Sequence, residues 1–288
     1  MNETIAQQQV TVAGLQTEYL TAGEGAPLLL LHGVGDSAYS WQRVIPTLAR
    51  THRIYAPSLP GFGMSSKQVS DYSPEFFTSF VTAFLDELAL REVAIVGNSL
   101  GGLVATRFAL AYPKRVSALV LIDSAGMGRH LTFAMRLLTL PGMDKLVSVL
   151  GQTKLGAKLW SLSVTSLLFA NPTQAPRDWF DRLNRMARDP GYLKATVEAV
   201  KGGNTLAGQR DREIMLEQLP RLTMPTLLIW GECDRIVPAH QARQASARLT
   251  RGQLVLLPNC GHVPQLEQPN RVEEVLSQFL KDAAVLSR

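Results

Sequence analysis

"VAIVGNSLGG" spans Val93 to Gly102, and its reading decides how the rest of the chain is understood. Val93 to Val96 is an apolar, β-branched run of the kind that forms a strand covered on both faces. A turn of small residues follows, and Leu103-Val104-Ala105-Thr106 then resumes an apolar pattern suited to a helix. Ser99 stands in that turn with Gly97 and Gly101 two residues to either side. A dinucleotide-binding turn needs a bare middle position so that backbone can approach a pyrophosphate, and Ser99 occupies that position here. The pattern G-x-S-x-G instead fits a nucleophile elbow, in which a strained turn lifts a serine hydroxyl above the sheet and the glycines let strand and helix cross closely. A serine that merely caps the following helix is the plainer alternative. Partners elsewhere in the chain separate the two.

Outward from the elbow, short apolar runs alternate with helical patterns: "PLLLLHG" from Pro27, "THRIYAPS" from Thr51, "VSALVLIDS" from Val116, "TMPTLLIWGE" from Thr223 and "GQLVLLPN" from Gly252. Near-continuous apolar strands separated by helices such as "PEFFTSFVTAFLDELAL" imply a parallel sheet with right-handed crossovers. The alternating runs around Gly14 predict an antiparallel hairpin at the sheet edge. Between Gly126 and Asp211 the strand rhythm stops, and Leu, Met and Phe recur at helical spacing. The expected architecture is therefore α/β, a mostly parallel eight-stranded sheet with helices on both faces. Its core is assigned to residues 1–125 and 212–288, with an all-helical cap inserted at 126–211.

A serine hydroxyl is a weak nucleophile until a base takes its proton, and the base needs a carboxylate to hold its tautomer. Among the five histidines, His262 follows the last apolar run, at the strand end where open α/β sheets place their chemistry. His32 ends a strand inside "HGVG", while His52, His130 and His240 read as surface or capping residues. Asp234, after the strand next to the one that delivers His262, is preferred as the acid over its rival Asp123 in "LVLIDSAG".

The chain order Ser, Asp, His, together with "HGVGDSAYSW", "PSLPGFGMSS", "GNSLGG", "GECDRIVP" and "GHVPQLEQP", resembles the α/β-hydrolase superfamily. The resemblance covers nearly the whole chain outside the insertion. It implies Ser99 as nucleophile, His262 as general base and acid, Asp234 as its orienting partner, and the backbone N–H groups of Val34 and Leu100 as an oxyanion hole. Relatives commonly carry aspartate where this chain has Ser58, a departure expected to affect loop stability more than chemistry. Serine at the nucleophile position disfavours the aspartate-dependent dehalogenase and epoxide-hydrolase branches.

The insertion is lipophilic, so the expected substrate is a small acyl ester of short to medium chain, hydrolysed by a carboxylesterase or lipase through an acyl-enzyme. Gly33, Trp41, Met127, Phe133, Trp160 and Val263 are the expected substrate contacts. Two other classes stay open. Asn98 before the serine is common among C–C bond hydrolases of vinylogous diketo acids, where a cap arginine such as Arg177, Arg182, Arg185 or Arg188 would hold a carboxylate; Val263 stands where that branch tends to have tryptophan. The fold also serves as a ligand receptor without catalysis.

With 46% hydrophobic and 18% charged residues over 288 positions, the composition is that of a chain that buries a core. The net charge of +5 is spread rather than gathered into a basic stripe, so nucleic acid is not expected as a partner. Neither a leader-like opening nor a run of membrane-spanning length is seen, and a cytoplasmic monomer or homodimer is expected. No cofactor is implied, and no metal-ligand spacing is present. Cys233 and Cys260 read as two buried thiols, with a disulfide between neighbouring loops as the alternative.

Overall fold

A computed structural model describes residues 4–67 and 69–286; the start of the polar opening and the last two residues of the assigned core lie outside them. In chain order the strands are β1 (Ala6–Val12), β2 (Leu15–Ala22), β3 (Ala26–Leu31), β4 (His52–Pro57), β5 (Val93–Asn98), β6 (Val116–Ile122), β7 (Asn204–Thr205), β8 (Gly208–Gln209), β9 (Thr226–Gly231) and β10 (Gly252–Leu257). Eight of these form one sheet in the order β1-β2-β4-β3-β5-β6-β9-β10. β1 and β2 pair antiparallel about the Gly14 turn, β2 runs antiparallel to β4, and every pairing from β4 to β10 is parallel.

The period-2 alternation of side chains divides the core in two. Leu29, Leu31, Ile95, Leu119, Leu121 and Leu228 face α2 (Pro74–Glu87) and α3 (Leu100–Ala111). Leu28, Leu30, Val96, Val120 and Ile229 face the other way, toward α1 (Ile45–Leu48) and α11 (Pro269–Leu286). Both faces are covered, which is why these strands read as unbroken apolar runs.

Between β6 and β9 the chain forms α4 (Phe133–Leu137), α5 (Met143–Gly151), α6 (Lys154–Leu168), α7 (Arg177–Met186) and α8 (Pro190–Gly203), then the β7–β8 hairpin. The stretch is helical apart from that two-residue pairing. Thr153 and Asp189 start α6 and α8 by accepting the N–H of Gly156 and Gly191. Beyond β9 lie α9 (His240–Ser246) and α10 (Pro264–Glu267).

Ser58 is fully buried beneath the sheet's upper rim, where its Oγ donates to Glu18 Oε2 at 2.9 Å and accepts the N–H of Ala38 at 3.1 Å. Glu18, on β2, also accepts from Met64 N and from Gln7 Nε2. A carboxylate from a neighbouring strand thus serves the loop in which Ser58 stands. His32 closes the same region: its Nε2 accepts the N–H of Leu59 at 2.8 Å while Nδ1 lies 2.8 Å from Gly33 O, so the proton sits on Nδ1. Burial lowers its pKa to about 4, against a smaller opposing effect of the Gly33 carbonyl.

Two stability tests follow from this architecture. The unfolded chain takes up a proton at His32 near pH 6.5 that the folded chain refuses until about pH 4, so this residue costs stability as pH falls through that window. On going from pH 7.5 to pH 4.5, wild type should lose about 2 to 3 kcal/mol more than His32→Gln in urea unfolding. At the elbow, a Cβ added to Gly97 would meet Gly101 O at 2.4 Å, and one added to Gly101 would meet Leu31 O at 2.3 Å. Either change to alanine should cost about 3 kcal/mol or more. Gly203→Ala, whose Cβ meets only Pro74 Cγ at 3.7 Å, should be tolerated in the same assay.

Candidate active site

β5 ends at Asn98, and the next residue turns the chain with φ 53° and ψ −117°. Positive φ at a residue with a side chain is strained, and it is maintained here by bonds on both sides. Ser99 N donates to Ile122 O at the end of β6, while Ser99 O accepts from Gly102, Leu103 and Ala125. β5 meets the start of α3 so tightly that Gly97 is required as glycine, and α3 meets the end of β3 so tightly that Gly101 is. The Leu100 N–H opens α3 and has no acceptor within the helix.

His262 follows β10 and is held by its backbone, its N–H donating to Leu168 O at the end of α6 at 2.7 Å. Its Nδ1 lies 2.8 Å from Asp234 Oδ2, and both residues are buried. The other oxygen of Asp234 accepts from Ile236 N and Val237 N, which fixes the carboxylate against rotation. Asn98 joins the loops below the hydroxyl: its Nδ2 donates to Ile122 O and to His262 O, and its Oδ1 accepts from Gln265 Nε2.

Asp123 is fully buried, with its backbone at φ 44° and its Oδ1 accepting the N–H of Gly231. One ligand-type atom from each of Asp123, Asp234 and His262 falls within 4.8 Å of the others. Burial, and then the charge of Asp234, push the Asp123 carboxyl well above the usual carboxylate range. The imidazole is hydrogen-bonded to Asp234, not to Asp123.

Ser99, Asn98, His262 and Val263 open into a cavity of about 250 Å³. The loop after β3 supplies Gly33, Val34, Gly35 and Asp36; the helices of the insertion supply Met135, Trp160, Val164, Trp179 and Tyr192 among others. Val34, Ser99 and Leu100 meet again at a smaller adjoining cavity. Three expected contacts are corrected. Trp41 is fully buried in the core on the α1 and α11 side of the sheet. Met127 is fully buried in the opposite core layer and lies outside the cavity wall. Phe133 is 70% exposed on the outside of the insertion. Cys233 and Cys260 are both free, and Cys233 is exposed rather than buried.

Sequence reading missed Asp36. Its carboxyl is buried on the cavity wall, accepting from Ser37 N at 2.8 Å and Trp179 Nε1 at 3.3 Å. Burial raises its pKa to about 6, against those hydrogen bonds and the charge of Arg182. The Tyr192 hydroxyl donates to Gly35 O at 2.5 Å, a second tie between the insertion and the loop after β3. A carboxyl directly after "HGVG" was the available signal for Asp36; nothing local marks Tyr192.

Comparison with known proteins gives the same architecture. The chain is 29% identical over 289 residues to a 2-hydroxymuconate semialdehyde hydrolase of Pseudomonas sp. strain CF600, covering 97% of this chain and 96% of that protein. A bacterial membrane phospholipase A superposes with a TM-score of 0.80 at 26% identity, covering 97% of this chain and 87% of that one. A meta-cleavage product hydrolase from Pseudomonas fluorescens IP01 superposes with a TM-score of 0.78 at 26% identity, covering 96% of this chain and 98% of that one. The model of the alpha/beta hydrolase fold matches residues 26–269, a span that takes in the elbow, both carboxylates and the histidine loop. The chain belongs to the α/β-hydrolase family.

Proposed function

We propose that the protein is a serine carboxylesterase acting on uncharged short- to medium-chain acyl esters. The observation that carries this reading is the cavity wall, which is largely apolar, bears no lysine or arginine among the described residues, and includes the buried carboxyl of Asp36. A site for a carboxylate-bearing substrate needs a cation, and near neutral pH this wall offers negative charge instead. None of the four cap arginines lines it. Arg182 stacks 3.6 Å above the Tyr39 ring, Arg177 belongs to a separate outer cleft, and Arg185 and Arg188 are exposed.

In this mechanism His262 Nε2 takes the Ser99 proton as Oγ attacks the ester carbon, and Asp234 stabilises the imidazolium. The N–H groups of Val34 and Leu100 receive the charge that develops on the carbonyl oxygen, a contribution of roughly a hundredfold or more in rate for each donor. Collapse expels the alcohol, protonated by His262, and leaves the acyl group on Ser99. Water activated by the same imidazole releases the acid. The insertion and Val263 enclose the acyl chain, and Trp160 lies beside it.

The second reading is a C–C bond hydrolase, favoured by Asn98 and by the names of two relatives. A panel of p-nitrophenyl esters from acetate to dodecanoate, assayed beside a ring-fission dienoate, separates the readings. Ester turnover with a maximum at short to medium chains is expected; turnover confined to the dienoate would overturn the esterase assignment.

Variants test the roles. Ser99→Ala and His262→Ala should each lower kcat by on the order of a millionfold, with the double variant no worse, because the two act as a unit. Asp234→Asn should cost on the order of a thousandfold or more, whereas Asp123→Asn, whose amide oxygen can still accept the Gly231 N–H, should cost less than about tenfold. Equal losses at the two aspartates would remove Asp234 from its assigned role.

A further inference from the structure

Eight of the twelve large hydrophobic residues that stand exposed among the described residues fall within a single stretch of thirty, Phe133 to Leu162. α4 presents Phe133 and Leu137, and α5 presents Leu146, Val149 and Leu150 at i, i+3, i+4 spacing. On α6, Leu155, Leu159 and Leu162 repeat at i, i+4, i+7 and are 67%, 55% and 45% exposed. The same helix buries Ala157, Ser161 and Thr165 and turns Trp160 and Val164 to the cavity. A helix whose core-facing side is already packed gains nothing in water from a second apolar stripe. Exposed apolar surface of this extent marks a contact with something else.

Charge identifies the occupant. Over residues 133–168 the chain carries Arg136, Lys145, Lys154 and Lys158 against one acid, Asp144, whose carboxylate is taken by Lys201 Nζ at 3.0 Å. Lys145, Lys154 and Lys158 are exposed beside the leucines. A second copy meeting this face across a twofold axis would bring like charges together. An anionic lipid surface accepts both features, leucine side chains entering the acyl boundary while lysines stay among the headgroups.

The cavity opens on the same side. Ala134 and Ser163, on α4 and α6, both line it and are both exposed, which puts its mouth between the helices that carry the apolar stripe. No helix among the described residues is long and apolar enough to cross a membrane. We propose that the outer face of α4, α5 and α6 is a docking surface for anionic phospholipid membranes, holding the protein on the bilayer with its cavity mouth toward the lipid. Docking itself does not depend on hydrolysis; delivery of a lipophilic ester straight from the membrane rests on the esterase reading.

Vesicle flotation of the full chain tests docking, with turnover of a water-soluble p-nitrophenyl ester measured in parallel. Wild type should rise with vesicles of phosphatidylcholine containing about 30% phosphatidylglycerol, and much less with phosphatidylcholine alone. Leu155→Gln/Leu159→Gln should lower the vesicle partition coefficient by at least about tenfold, and Lys154→Gln/Lys158→Gln by several-fold, with soluble-ester turnover unchanged in both. Three results would overturn docking: wild type that stays in the dense fraction with both vesicle types, variants that float as wild type does, or a dimer that does not bind vesicles and that the leucine pair dissociates. Flotation by a chain without esterase activity would leave docking standing and remove the esterase reading alone.

Discussion

The structure depends on one crossing of backbone over backbone. At Gly97 the start of α3, and at Gly101 the end of β3, approach until carbonyl oxygens occupy the space that a Cβ would need. Ser99 stands between these two contacts with positive φ, and the strain is contained by the bonds from Ser99 to the end of β6 and the loop after it. Asn98 extends the constraint to the histidine loop, because one amide group spans the end of β6, the backbone of His262 and Gln265. Strain at the turn and order in the loops beside it are therefore parts of one arrangement.

Around that crossing the electrostatics are sorted by burial. Asp234 has three hydrogen-bonded partners, whereas burial and the neighbouring charge push the Asp123 carboxyl well above the usual carboxylate range. Asp36 sits between these extremes, bonded to Ser37 and Trp179 but still raised by burial. The same bond makes it a fastener between the loop after β3 and α7, beside the Tyr192 bond to Gly35. Loop and insertion share a cavity wall and are tied together at that wall.

Much of this was readable in the residues because the chemistry is local. A strand end, a glycine and a polar residue in succession mark the elbow, the acid turn and the histidine loop, and the apolar runs mark strands covered on both faces. The edge hairpin follows from alternation around Gly14. Periodicity could not say which face of a helix meets the cavity. Phe133 and Trp160 look alike in sequence, yet one projects into solvent and the other lines the wall. Trp41 and Met127 went to core layers for the same reason: an apolar residue near a functional loop is as suited to packing as to binding. Tyr192 reaches Gly35, and Asp36 reaches Trp179, through tertiary contacts that no short stretch encodes, although Asp36 is marked locally by its place after "HGVG".

Glu18 and Ser58 carry a consequence for how this chain can change. One carboxylate from β2 knits together the Ser58 hydroxyl, the Met64 amide and Gln7. Installing aspartate at position 58 alone would set two anions face to face in a sealed space, and removing Glu18 alone would strand a hydroxyl and an amide. The two positions are therefore one unit: a viable exchange of the hydroxyl for a second acid has to remove the first acid in the same step, so neither residue is free to drift by itself.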